Sequence, residues 1–410
     1  MILPGLPCLY VTWYLSIILL AILLRYLISW YYFLDYPTTL KYNDETCTLV
    51  GSEQLVGSED MAIGLNNILF ITSGDLHNVF EHGTTAAKMG GIWSFDLSSK
   101  EDAQPQKLQL RGFDVETHGF YAHGLYVSNL TSRLYVVNHA VAYSGIEIFY
   151  IDYSTSPPSL QHESTVGGDG LTFPLRTIND VVEGDNEINE LYVTQWLPNS
   201  VPMEGKRKKS KSFLEMLNGL VNLFVQLFGM KLTSVFKCER GTDSLWKCIP
   251  ASDTRFVGSN GITISKDRSL VYINDAPSKD VSIFRRNHTD GTLTFLEKFD
   301  TIISMDNIEI EGHGNDDEVS IIMGSIPKLH QYVRNELYHL NDRVAGGAVV
   351  AFKKNNGNTN DNKWILKRLV THDGSKLSQI SAAARYGDRI VMGSPFSNGI
   401  LVCDYMYDTE

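Results

Sequence analysis

The chain has 410 residues, with 47 acidic against 35 basic side chains and a formal net charge of −12. That balance argues against a nucleic-acid partner. At 43% hydrophobic and 20% charged the chain is globular rather than disordered, and its five cysteines are too few for a disulfide scaffold.

Residues 1–24 carry no charged side chain, and the apolar run resumes after Arg25 through Leu34. About 20 apolar residues span a bilayer. A cleaved signal would want a basic n-region and a small-residue cleavage site, and neither stands before Asp35. The expectation is an uncleaved signal anchor with its linker over 1–40, which makes membrane lipid a partner. The body over 41–410 is then lumenal or extracellular, in the membrane system of the secretory pathway. The sequons at Asn129 (Asn129-Leu130-Thr131) and Asn287 (Asn287-His288-Thr289) agree with glycosylation in that compartment.

Beyond the anchor, one grammar repeats. Runs starting at Ile68, Leu134, Leu191, Val271, Ser320 and Arg389 are β-branched or aromatic at the start and small or polar at the end. Their starts lie 66, 57, 80, 49 and 69 residues apart. Six self-similar strand units of this size predict an all-β, six-bladed β-propeller. Ahead of the strands, 9 to 14 residues earlier, come polar turns: Glu59-Asp60, His123-Gly124, Asn179-Asp180, Asn260-Gly261, Asp306-Asn307 and Ser378. Equivalent positions of successive blades face one axis, so these side chains should meet at one end of a central channel. A ring of Glu, Asp and Asn oxygens is hard-cation chemistry and points to calcium. His123 falls in one of these turns, and His139 ends the strand that follows it. A pair so placed could take a proton from water beside a metal-bound carbonyl.

The longest spacing contains an insertion, about 200–232. Basic residues at 206–209 and 211 lead into an apolar, amphipathic helical run from Phe213 to Phe228. It reads either as a membrane or partner contact or as a helix capping the propeller. The stretch 353–363 reads as an exposed polar hairpin tip. Cys47 precedes the first repeat and Cys403 follows the last, so they form either a bridge that closes the ring or two buried thiols. Cys238 and Cys248 bracket a short loop and leave the same choice open.

Taken together, Gly57-Ser58-Glu59-Asp60, Ala122-His123-Gly124-Leu125, Tyr135-Val136-Val137-Asn138-His139, Asn179-Asp180-Val181, Ser259-Asn260-Gly261-Ile262 and Met305-Asp306-Asn307-Ile308 resemble the motifs of the paraoxonases, from about Cys47 to Asp404. These are calcium-dependent arylesterases and lactonases on a six-bladed propeller. The resemblance implies two calcium ions. Glu59, Asn179, Asn260, Asp306 and Asn307 match the ligands of the catalytic ion. Asp60, Asp180 and the main-chain oxygen of Leu125 match those of the structural ion. His123 and His139 match the histidine dyad, Cys47 and Cys403 the ring-closing disulfide, and the N-terminal segment a retained signal sequence. A small ester or lactone is the implied substrate.

Two stretches depart from the family. Gln195-Trp196-Leu197 stands where the family has Asn-Asp-His, and Ser325-Ile326 where it has Cys-His. With the long anchor, the divergent pocket is similar to membrane-bound paraoxonase-like proteins of nematodes. Some of those serve as accessory or folding factors for ion channels. The alternative expectation is therefore a non-catalytic chaperone or accessory subunit with a membrane-protein client.

Overall fold

The computed structural model describes residues 6–405, apart from 77, 80–86, 100–102, 141–143, 168–176, 185–188, 200–212, 243, 312–318, 339–344 and 355–363. The basic run before Phe213 and the polar tip beyond 354 lie outside the described residues.

Six sheets form the blades of a β-propeller, antiparallel throughout except for the short edge strand Leu110–Arg111, which runs parallel to Ser159–Val166 in blade two. The first strands of successive blades are Met61–Ile63, Ala122–Ser128, Ile178–Glu183, Ser259–Ile264, Ser304–Ile310 and Ala382–Tyr386. They line the axis. The repeated strands of the sequence are the second in each blade: Ile68–Ser73, Arg133–His139, Glu190–Gln195, Leu270–Asp275, Ser320–Ile326 and Arg389–Gly393. Both faces of a second strand pack against a neighbouring blade, so these strands read as apolar runs instead of alternating. The core follows from this arrangement. It is divided among six main apolar clusters, each seated between consecutive blades. Tyr135, Ile146 and Ile148 meet Val181, Leu191 and Val193 in one of them. Ile322, Val349 and Val370 meet Ala383, Ile390 and Met392 in another.

The ring closes by strand exchange between the chain's two ends. Cys47–Val50 is the outermost strand of the last blade, antiparallel to Ile400–Asp404. Cys47 pairs with Cys403 in that register, and the two are disulfide-bonded. Cys238 and Cys248 are likewise opposite one another on adjacent strands and bridged. Both choices left open by the sequence are thus resolved as bridges.

Leu6–Phe33 is one helix of 28 residues, and the stretch Trp13–Phe33 is long and apolar enough to cross a membrane. Nearly all its side chains from Trp13 to Tyr32 are exposed. Its end is fastened to blades four and five. Lys279 Nζ donates to Phe33 O (2.7 Å) and to Asp35 Oδ1 (2.9 Å), and it lies 5.1 Å from the Phe33 ring centre. The His330 N–H donates to Leu34 O (2.9 Å), and the His330 ring stacks on Tyr36 at 4.2 Å. Lys279 and His330 both lie in connections between second and third strands. Those connections are all at one end of the propeller, where the first strands begin.

The inserted helix, Phe213–Phe228, sits in the corresponding connection of blade three. Val225 and Asn222 are its buried residues, and Asn222 exchanges hydrogen bonds with the backbone of Asn199. Phe213, Leu217, Leu220, Phe224 and Phe228 stay exposed. Phe228 meets Tyr26 of the N-terminal helix edge-on at 6.1 Å.

Candidate active site

The polar pairs read as turns prove to be part of the first strands. In blades two to five each pair falls where the strand's register with its neighbour shifts, so these are β-bulges. Glu59-Asp60 stands immediately before Met61. A bulge places two consecutive side chains on the channel side, which interrupts the alternation that would have marked a strand.

At the end where the first strands begin, the expected residues converge. His123 Nε2 lies 3.4 Å from Glu59 Oε1 and 3.5 Å from Asn179 Nδ2. Asn307 Nδ2 donates to Glu59 O and Oε1, both at 3.0 Å. Asn260 hydrogen-bonds Asp306, whose charge acts on His123. His123 Nδ1 stands 2.9 Å from His139 Nε2, and His139 Nδ1 stands 3.0 Å from Ser144 Oγ. Both histidines are buried, while Asn260 and Asp306 are part-exposed toward the mouth.

Beside this group lies a second level. Asp60 Oδ1 accepts the N–H of Met61 (2.8 Å), and its Oδ2 accepts the N–H of Leu125 in the next blade (2.7 Å). Asp180 repeats the pattern with Val181 (2.8 Å) and with Ile262 of the next blade (2.9 Å). Gly124 and Gly261 make room for the blade that follows each staple. A Cβ on Gly124 would sit 2.6 Å from Asp180 Oδ1, and one on Gly261 would sit 2.8 Å from Asn307 Cα. The belt is completed in blade six by Ser381. It donates to Glu59 O (2.6 Å) and accepts the Asn307 N–H (2.9 Å).

Ser381, and not Ser378, is therefore the sixth member. Ser378 instead accepts the Ala345 N–H away from the group. The sequence reading also passed over Glu309, two residues beyond Asn307, whose carboxyl is held up by burial and by Asp180.

The electrostatics are those of a site short of positive charge. Burial, reinforced by mutual repulsion, lifts the Asp60 carboxyl well above its usual range. Burial likewise lifts Asp180 and, with Glu59, Asp306. Burial alone would push the His123 imidazole down, but the Glu59 carboxylate and the charges of Asp306 and Asp180 together outweigh it and the net shift is upward. Burial, then the charge of His123, holds His139 well below the ordinary histidine range.

A calcium ion was expected here, and the donors fit one. Glu59 Oε2, Asn179 Oδ1, Asn260 Oδ1 and Asn307 Oδ1 are buried oxygens with no hydrogen-bond partner among the described residues. Buried polar atoms are almost always partnered, so such a convergence asks for a cation. Among the described residues no three His, Cys, Asp or Glu side chains form a metal-binding group. The set is rich in amide oxygens, which suits calcium and not zinc.

A six-bladed propeller with paired histidines at the mouth of an oxygen-lined channel defines the class. The chain belongs to the arylesterase family, whose model matches residues 41–195 and 250–405. It is 26% identical over 358 residues to human serum paraoxonase/lactonase 3, covering 86% of this chain and 87% of that protein. It is 26% identical over 351 residues to chicken serum paraoxonase/arylesterase 2, covering 84% and 85%. Among solved structures, the periplasmic gluconolactonase PpgL of Pseudomonas aeruginosa matches with a TM-score of 0.45 at 11% identity, over 84% of this chain and 80% of that one. That likeness is too loose to carry a functional argument.

Proposed function

We propose that this protein hydrolyses esters or lactones, with His123 and His139 activating water and two calcium ions held in the channel. One observation carries the reading: the histidine pair is in contact with Glu59, inside a group of buried oxygens that lack partners. The family and its named relatives support the same class of substrate.

Glu59, Asn179, Asn260, Asp306 and Asn307 would hold the catalytic ion. Asp60, Asp180 and the Leu125 main-chain oxygen would hold the structural one. Calcium, when bound, supplies Lewis-acid polarisation of a carbonyl oxygen and stabilisation of the oxyanion. The rest falls to the chain. His139, kept neutral by burial, donates from Nδ1 to Ser144 Oγ and offers Nε2 to the His123 Nδ1–H. That tautomer puts the acceptor lone pair of His123 on Nε2, from which it would take a proton from water. The Glu59 carboxylate beside it stabilises the imidazolium that results.

The test is the purified full chain in detergent with phenyl acetate and a δ-lactone. Hydrolysis that is abolished by EGTA, and lowered about 100-fold or more by His123→Gln, is expected. Absence of turnover with both ions bound would defeat the reading.

The anchor and the exposed face of Phe213–Phe228 support attachment to a membrane of the secretory pathway, with the propeller on the lumenal or extracellular side. Asn129 and Asn287, the candidate glycosylation sites, are exposed in turns at the far end from the anchor. The uncovered apolar helix also favours a second reading, in which the propeller is a non-catalytic chaperone or accessory subunit for a membrane-protein client. His123→Gln separates the two, because a purely accessory role survives it.

A further inference from the structure

Second strands carry a position opposite the polar pair of each first strand. It lies one residue beyond the partners Ile71, Val136, Val193, Ile273 and Met323 of the first strands. In blades one to five it is Thr72, Val137, Thr194, Asn274 and Gly324. Threonine stands only in blades one and three, the two blades in which an aspartate, Asp60 or Asp180, directly precedes the paired residue Met61 or Val181.

Both threonines are fully buried. The Thr72 hydroxyl accepts the Asp60 N–H (2.9 Å) and faces its carbonyl at 3.3 Å. The Thr194 hydroxyl accepts the Asp180 N–H (3.0 Å) and faces its carbonyl at 3.4 Å. A bulge takes the N–H and C=O of its extra residue out of the ladder. In a dry interior those groups need partners; the threonine hydroxyl takes the aspartate N–H in both blades, and in blade one the Asp60 carbonyl also accepts the Thr72 N–H (2.9 Å). The same pair of contacts recurs in two blades whose sequences around the aspartate, Ser58-Glu59-Asp60-Met61 and Ile178-Asn179-Asp180-Val181, share only that residue.

We propose that Thr72 and Thr194 are positioning residues for the structural cation. Each hydroxyl fixes the backbone of its aspartate. Each carboxylate can then hold the next blade through one amide and still present oxygen lone pairs to the ion. This rests on the calcium reading above. Val137 and Gly324 cannot serve in this way, and Asn274 turns to the next blade, donating to Met305 O and Asp306 O.

The experiment uses the full chain in detergent, as Thr194→Val, Thr72→Val and the matching serine variants. Calcium is titrated calorimetrically, and thermal melting is followed in EGTA and in saturating calcium. Valine keeps the shape and removes the hydroxyl. The valine variants should bind one of the two ions about 10- to 100-fold more weakly, the usual effect of losing an outer partner of a ligand. The rise in Tm that calcium produces should shrink with it. Serine should restore both to within about twofold. Equal loss of Tm with and without calcium, at unchanged affinity, would make the threonines merely structural and overturn the proposal. Failure of serine to rescue would do the same. A wild-type chain that takes up no calcium would instead overturn the functional reading and, with it, this one.

Discussion

Gly124 shows how much of the site is backbone. Its missing side chain leaves room for the Asn179-Asp180 bulge, with no space for a Cβ beside Asp180. Gly124→Ala should cost at least about 2 kcal/mol in urea unfolding, since neither neighbour is a flexible chain end. It should also disturb the Asp180 staple to Ile262. His372 is a different residue-scale case, far from the histidine pair. It is fully buried, its Nδ1 accepts the Gly374 N–H, and burial lowers its pKa to about 4. The folded state therefore resists a proton that the unfolded chain takes up near pH 6.5. The stabilisation is complete above that pH and is lost as pH falls toward 4. It amounts to about 3 kcal/mol over the window. His372→Phe should flatten the slope of unfolding free energy between pH 6.5 and 4.

The residues that were legible in the sequence were those whose type is rare in a strand. Glu59, Asn179, Asn260 and Asp306 stood out because amide and carboxylate groups recurred in phase with apolar runs. Thr72 and Thr194 did not, because threonine is an ordinary strand former and its hydroxyl gives no signal without its partner. Ser381 was displaced by Ser378 for a similar reason: spacing alone cannot choose between two serines three residues apart.

At the scale of elements, the second strands were visible and the first strands were not. Burial on both faces leaves a continuous apolar run, whereas a bulge imitates a turn. The six-blade count was secure, because it needed one strand per blade. The N-terminal apolar helix was legible from 24 uncharged residues, but its joint with the propeller was not. That joint depends on Lys279 and His330, both distant in sequence. Lys279→Ala with His330→Ala should leave the propeller's melting temperature nearly unchanged and speed amide exchange over residues 31–38. Unchanged exchange would show the joint to be immaterial. The exposed face of Phe213–Phe228 gives another measurable expectation. Replacing Leu220, Phe224 and Phe228 by Ser should not unfold the domain, since these side chains are already in solvent. It should reduce binding of the domain to anionic vesicles when the N-terminal helix is removed by proteolysis.

For the whole molecule, stability and calcium are expected to be linked. An ion bound only by the folded ring adds about 2.7 kcal/mol at 100 times its dissociation constant. EGTA should therefore lower Tm, and lower it further in Cys47→Ser or Cys403→Ser. Chain-entropy reasoning assigns the bridge across 356 residues about 5 kcal/mol. A Tm insensitive to both reduction and chelation would contradict the belt as the element that holds the blades together.

Strand exchange between the two ends also has a consequence for biosynthesis. Cys47–Val50 leaves the ribosome early and has no partner until Ile400–Asp404 follows. At about 5–20 residues per second, the wait is on the order of 20–70 s. During that wait the strand leaves a bare edge of the kind that invites promiscuous pairing. Newly made protein should therefore be found on folding factors until Ile400–Asp404 is translated, and a stop codon placed before Ile400 should leave it there.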